Sequence, residues 1–182
     1  MSRILSRMEK PLMYNMWKNR SPLVSIPVKG KSMFPLIDEL DLVTVAQTSP
    51  EEIHPGDIVA FLSNGGFIVH RVIRRKDNDG DIVVCQKGDS SPFYTWIKGS
   101  HVMGRVVEIK SNGRNISLTT FPWKLYNRYL ALVGSLWVFI SGKRRGETGF
   151  KGNAFFGRMK RAVFLGLKFM NSSFTRLLVR RY

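Results

Sequence analysis

Between Val24 and Leu118, short apolar and β-branched runs alternate with tight-turn signals, and this alternation narrows the possible folds more than any other feature of the chain. The runs include Leu42 to Val45, Ile58 to Leu62, Phe67 to Ile73, Ile82 to Cys85 and Val102 to Ile109. Asn64-Gly65-Gly66, Asp77-Asn78-Asp79-Gly80 and Ser111-Asn112-Gly113 separate them, and such clusters close β-hairpins. The pattern predicts a mainly β domain with several hairpins. Only about 20 residues precede it, and Pro11 and Pro22 interrupt them, so no helix-turn-helix is expected there.

The character changes after Phe121-Pro122. The aromatic-rich stretch Leu125 to Ile140 is compatible with a helix, and a glycine- and charge-rich break from Ser141 to Gly149 follows it. Beyond the break, Phe156, Met159, Val163, Leu167, Met170, Phe174 and Leu177 recur at helical spacing, with Arg158, Arg161, Lys168 and Arg176 opposite. The organisation read from these changes has three parts. They are a basic tail over 1–20, a β-domain over 21–120 and a basic, aromatic-rich amphipathic helical region over 121–182.

The net charge of +16 is distributed unevenly over these parts. Residues 1–20 carry +4 and residues 21–120 are neutral, whereas residues 121–182 hold thirteen basic side chains against one acid, Glu147. A neutral domain with basic flanks is built to meet something anionic. Basic charge facing bulky apolar side chains fits a helix lying in a membrane interface, so an anionic membrane surface is the expected partner of 121–182. Nucleic acid is not. The longest uncharged stretch, Tyr129 to Gly142, has 14 residues, short of the roughly 20 needed to cross a bilayer. No transmembrane anchor is expected, and peripheral attachment on the cytoplasmic face follows from the attraction of Lys and Arg to anionic lipid. The single cysteine, Cys85, rules out an internal disulfide and reads as a small buried hydrophobe.

Three segments suggest chemistry. Ser32 sits in Gly30-Lys31-Ser32-Met33-Phe34-Pro35, where glycine permits a tight turn, Pro35 stiffens the exit and Met33 offers an apolar side chain to a pocket. A serine hydroxyl is a weak nucleophile and needs a base within hydrogen-bond reach. His70, in Phe67 to Ile73, shares a strand face with Ile68 and Val72 and is suited to that role. Asp89, in Lys87-Gly88-Asp89-Ser90, could orient the imidazole or form a turn with nearby amides. His54 and His101 lack such settings and read as structural.

Together these segments resemble the signal peptidase and LexA superfamily of serine endopeptidases. The segment Gly30 to Pro35 looks like its nucleophile box, Val69-His70-Arg71-Val72 like its base box and Lys87-Gly88-Asp89 like its acidic box. Pro55-Gly56-Asp57-Ile58-Val59 and Gly104-Arg105-Val106-Val107 resemble flanking core strands, so the likeness covers residues 24–110 in order. A histidine in the base box is similar to the endoplasmic-reticulum and archaeal type of signal peptidase. The resemblance implies catalysis by Ser32, His70 and Asp89, with Gly30, Met33 and Pro35 at the substrate, a peptide or protein precursor as substrate, and no cofactor or metal. Two rival readings are a catalytically silent membrane- or nucleic-acid-binding protein with a peptidase-like domain, and a LexA-like regulator that cleaves itself.

Overall fold

In a computed structural model the chain is described over residues 22–63 and 66–141, together with 165, 166, 173 and 175. The basic N-terminal tail and the apolar stripe from Phe156 to Leu177 lie outside the described residues. The expected β-domain is an antiparallel sheet of eight strands: β1 (Leu23–Pro27), β2 (Leu42–Gln47), β3 (Ile58–Ser63), β4 (Gly66–Asn78), β5 (Asp81–Lys87), β6 (Tyr94–Lys98), β7 (Val102–Ser111) and β8 (Arg114–Ser117). They run in the order β1-β2-β7-β3-β4-β5-β6, with β8 added to β7. One helix, α1 (Phe121–Ser141), covers part of the sheet and contains the stretch whose sequence suggested a helix.

Two hairpins close where the sequence marks them. Asp79 (φ 52°) and Gly80 (φ 88°) join β4 to β5, and Asn112 (φ 48°) and Gly113 (φ 75°) join β7 to β8. Consecutive left-handed residues give the turn whose twist matches that of paired strands. The central strand β3 is apolar without a break because both of its faces are covered. Ile58 and Ala60 pack with Val69, Trp123, Tyr126 and Leu130 on the α1 side, while Val59 and Phe61 pack with Val72, Val84 and Val102 on the other.

An irregularity in β4 determines what lies on each face. From the hairpin turn the β4–β5 register runs evenly from Asn78 opposite Asp81 to Arg74 opposite Cys85, and then slips, so that Val72 faces Gln86 and Arg71 faces Lys87. Ile73 is the extra residue, as in a β-bulge. It lies against α1 at Gly134, where a Cβ would come within 2.8 Å of Ile73 Cγ2. The next residue also reaches the helix: Arg74 donates from Nε to Ser135 Oγ (2.6 Å) and from Nη2 to the Ser135 carbonyl (2.8 Å).

Arg71 follows from the same slip and is almost fully buried. Its guanidinium grips both carboxylate oxygens of Asp89, at 2.9 and 2.8 Å, and donates to the Gly56 carbonyl (3.1 Å) and Asn127 Oδ1 (2.8 Å). One side chain thus ties β4 to the loop after β5, the turn before β3 and helix α1. The fork geometry of arginine suits this four-way junction, and lysine could not reproduce it. Removing one partner of a buried pair strands the other, so Arg71→Met is expected to cost about 3–5 kcal/mol. Urea unfolding would read this as a large fall in the midpoint, while Lys98→Met at an exposed pair (Asp81, 3.6 Å) should change it little.

Candidate active site

Ser32 rides on the 28–41 connection between β1 and β2, whose base is closed by backbone bonds from Val28 N to Asp41 O (2.8 Å) and Leu40 N to Val28 O (3.0 Å). The buried Asp41 carboxylate accepts from Asp38 N at 2.8 Å and holds the loop's far end. At its near end Gly30 has φ +84°, a left-handed conformation that a side chain would strain. After Ser32 the chain makes a helical turn, with Ile37 N donating to Met33 O (3.1 Å), and Met33, Leu36 and Ile37 enter the core. Met33, expected at a substrate pocket, is therefore an internal anchor, 1% exposed. Pro35, joined to Phe34 by a cis peptide, is half-buried, while Gly30 is open to solvent.

The turn brings Ser32 Oγ to 3.0 Å from His70 Nε2, across 38 residues of sequence. Both side chains are partly accessible. The other imidazole nitrogen, Nδ1, meets the side-chain oxygen of Gln86. An amide oxygen can only accept, so this contact places the proton on Nδ1 and leaves the Nε2 lone pair facing the serine hydroxyl. Phe61 packs edge-on against the imidazole, with ring centroids 6.1 Å apart.

Asp89 does not join this pair. Expected as the group that orients His70, it is bound to Arg71 on the other face of the sheet, through the contacts that make the junction. The bulge accounts for this. Continued evenly, the register of the hairpin would set His70 opposite Asp89; slipped by one residue, the ladder that pairs Arg71 with Lys87 leads to Gly88 opposite His70 instead. Gln86 then lies on the face of His70, where alternation along β5 places it.

The loop after β5 nonetheless bears on Ser32. Ser90 donates its N–H to the Ser32 carbonyl (2.9 Å) and its hydroxyl to the Lys31 carbonyl (2.6 Å). Gly88 is pressed against both members of the pair: a Cβ there would lie 2.7 Å from the Ser32 carbonyl oxygen and 3.1 Å from His70 Nε2. Asp89, held by Arg71, fixes the segment in place from between these two residues. Sequence reasoning passed over Gln86 and the steric role of Gly88; pairing β5 with β4 and noting the residues that share His70's face would have pointed to both.

Beside the junction, Lys87 is buried on the Arg71 side and donates from Nζ to the Gly88 carbonyl (3.0 Å). Burial lowers its pKa to about 8, against the opposing pull of Asp89. Among the described residues no cluster of His, Cys, Asp or Glu is arranged to hold a metal ion. No helix among them is long and apolar enough to cross a membrane.

The antiparallel sheet is consistent with a peptidase-like fold, and the family comparison supports that class. The chain belongs to the Peptidase S24-like family, whose model matches residues 3–107, more than half of its length. No curated protein matches the sequence.

The charged form of Lys87 is disfavoured in the fold. The unfolded chain therefore binds more protons than the folded one between pH 8 and the ordinary lysine value of 10.5, and stability contributed by this group rises over that window. The gain is on the order of 3 kcal/mol at most. In chemical denaturation, Lys87→Met should be at least as stable as wild type at pH 7, with any advantage shrinking steadily between pH 8 and pH 10.

Proposed function

We propose that this protein is a serine endopeptidase in which Ser32 attacks a peptide carbonyl and His70 is its general base. The observation that carries the proposal is the 3.0 Å approach of Ser32 Oγ to His70 Nε2, with the far nitrogen of the ring engaged by Gln86. Membership of a peptidase family supports the same class of reaction.

In this mechanism the Ser32 Oγ–C bond forms as its proton passes to His70 Nε2, giving a tetrahedral oxyanion and an imidazolium. The Ser32 backbone N–H is the donor assigned to the oxyanion. The imidazolium returns its proton to the leaving amine as the C–N bond breaks. Water, deprotonated by the same imidazole, then releases the acyl group and regenerates the serine. Gln86 keeps the tautomer correct throughout but, being neutral, stabilises the imidazolium less than a carboxylate would. Asp89 acts as a positioning residue: through Arg71 it holds the Gly88–Ser90 segment that supports Ser32.

Processing of a precursor by removal of a signal or leader segment is the biological role we infer. It rests on the histidine in the base position and on the likeness to histidine-using signal peptidases. Self-cleavage of the LexA kind draws no specific support from the site.

A fluorophosphonate probe should label wild type and leave Ser32→Ala unlabelled. Intact-mass analysis of a denatured, proteome-derived peptide library should show new termini with wild type alone. Ser32→Ala and His70→Ala should each lower cleavage by about 10³-fold or more with unchanged unfolding midpoints. Cleavage that survives in Ser32→Ala would overturn the assignment.

The surroundings of the pair make two further predictions. Gln86→Glu puts a carboxylate beside His70 and favours its charged form, so the acidic limb of the kcat/KM profile should move up by about one pH unit. Gly88→Ala, by pushing on Ser32, should reduce kcat by about 10²-fold or more, since displacements near 1 Å can be that costly.

A further inference from the structure

Helix α1 has two apolar faces, and packing against the sheet and Thr175, which bonds the Tyr126 hydroxyl, covers only one. Trp123, Tyr126, Leu130, Ala131, Trp137 and Val138 are buried on the inner face, and Trp137 Nε1 donates to the Pro92 carbonyl at 3.1 Å. On the outer face Phe121, Leu125, Leu132, Leu136 and Phe139 are between 54% and 79% exposed. At 3.6 residues per turn these five fall within an arc of about 60° and run the length of the helix. A helix on a domain surface normally turns polar residues outward, and a contiguous apolar strip of this kind marks an interaction surface.

The surrounding charge indicates what would cover the strip. Lys124 and Arg128 are exposed along one side of it, and residues 121–182 contain thirteen basic residues and a single acid. A second copy of the chain would bring the same positive charge against it. Nucleic acid would satisfy the basic residues but leave the Leu and Phe side chains in water. An anionic bilayer satisfies both, taking the apolar side chains below its headgroups and pairing the lysines and arginines with lipid phosphates.

We infer that the outer face of α1 is a membrane-docking surface, which lies in the plane of an anionic phospholipid bilayer without spanning it. Its occupant is the lipid interface, and Phe121, Leu125, Leu132, Leu136 and Phe139 are the residues that enter. The surface is independent of Ser32 and His70, so failure of the protease assignment would leave it standing, and the reverse.

The test is co-sedimentation of the full chain with vesicles of phosphatidylcholine alone and of phosphatidylcholine with phosphatidylglycerol, compared with the double variant Leu132→Glu, Phe139→Glu. Wild type should bind the anionic vesicles at least tenfold more tightly than the neutral ones. The variant should lose at least tenfold in that binding while keeping its unfolding midpoint. Equal binding by variant and wild type would assign attachment to charge elsewhere in the chain and overturn the proposal, as would failure of wild type to bind anionic vesicles. So would a wild-type dimer that the variant dissolves, which would make the face a contact between copies.

Should the variant fail to fold, a second measurement decides. A bimane label on Leu136→Cys, selective because Cys85 is fully buried, should shift its emission to the blue on anionic vesicles and be quenched by brominated lipid. An unshifted, unquenched label on bound protein would refute the docking surface.

Discussion

The buried pair between Arg71 and Asp89 is the interaction on which the arrangement of this molecule depends. Two opposite charges taken out of water are a poor source of net stability, because the desolvation cost roughly cancels their attraction. They do impose geometry. The guanidinium has directions for several acceptors, and here they are a carboxylate, a turn carbonyl and a helix amide. Any other arrangement of those elements would leave a buried charge unsatisfied. The pair therefore selects one relative placement of β4, the Gly88–Ser90 segment, the turn at Gly56 and α1.

That placement passes to the site through short contacts. Asp89 lies between Gly88, which sits against Ser32 and His70, and Ser90, which bonds the Ser32 and Lys31 carbonyls. The loop that carries Ser32 is anchored from below by Met33, Leu36 and Ile37 in the core and from the side by the segment that Asp89 holds. A hydroxyl supported from two directions would need little reorganisation to act as the nucleophile proposed for it, which is the usual benefit of preorganisation. The acidic residue serves the site here as structure, and the neutral amide of Gln86 takes the place beside the imidazole.

Much of the architecture was legible because it depends on local rules. Strands follow from β-branched alternation, and Asp79-Gly80 and Asn112-Gly113 adopt the left-handed turn conformations that their residue types favour. The approach of Ser32 to His70 was also expected, from segments whose order and separation resemble those of a known superfamily. Less accessible was the insertion of β7 between β2 and β3, a pairing between distant parts of the chain that no local pattern records. Met33 shows the same limit in one residue: an apolar side chain beside a serine suits a pocket or a core equally well, and only the packing of Leu36 and Ile37 around it separates the two.

What the sequence determined on its own is the inventory: a β-domain with marked hairpins, a helix after Phe121, a basic C-terminal region, and a serine and a histidine in suitable settings. Which side chains face each other is settled only when distant segments pack. In a strand, direction alternates with every residue, so a single extra residue reverses all that follows. Ile73 is that residue, seated against Gly134, 61 positions further along. Because its place depends on packing with so distant a segment, the exchange of Asp89 for Gln86 beside His70 could not be read from either strand alone.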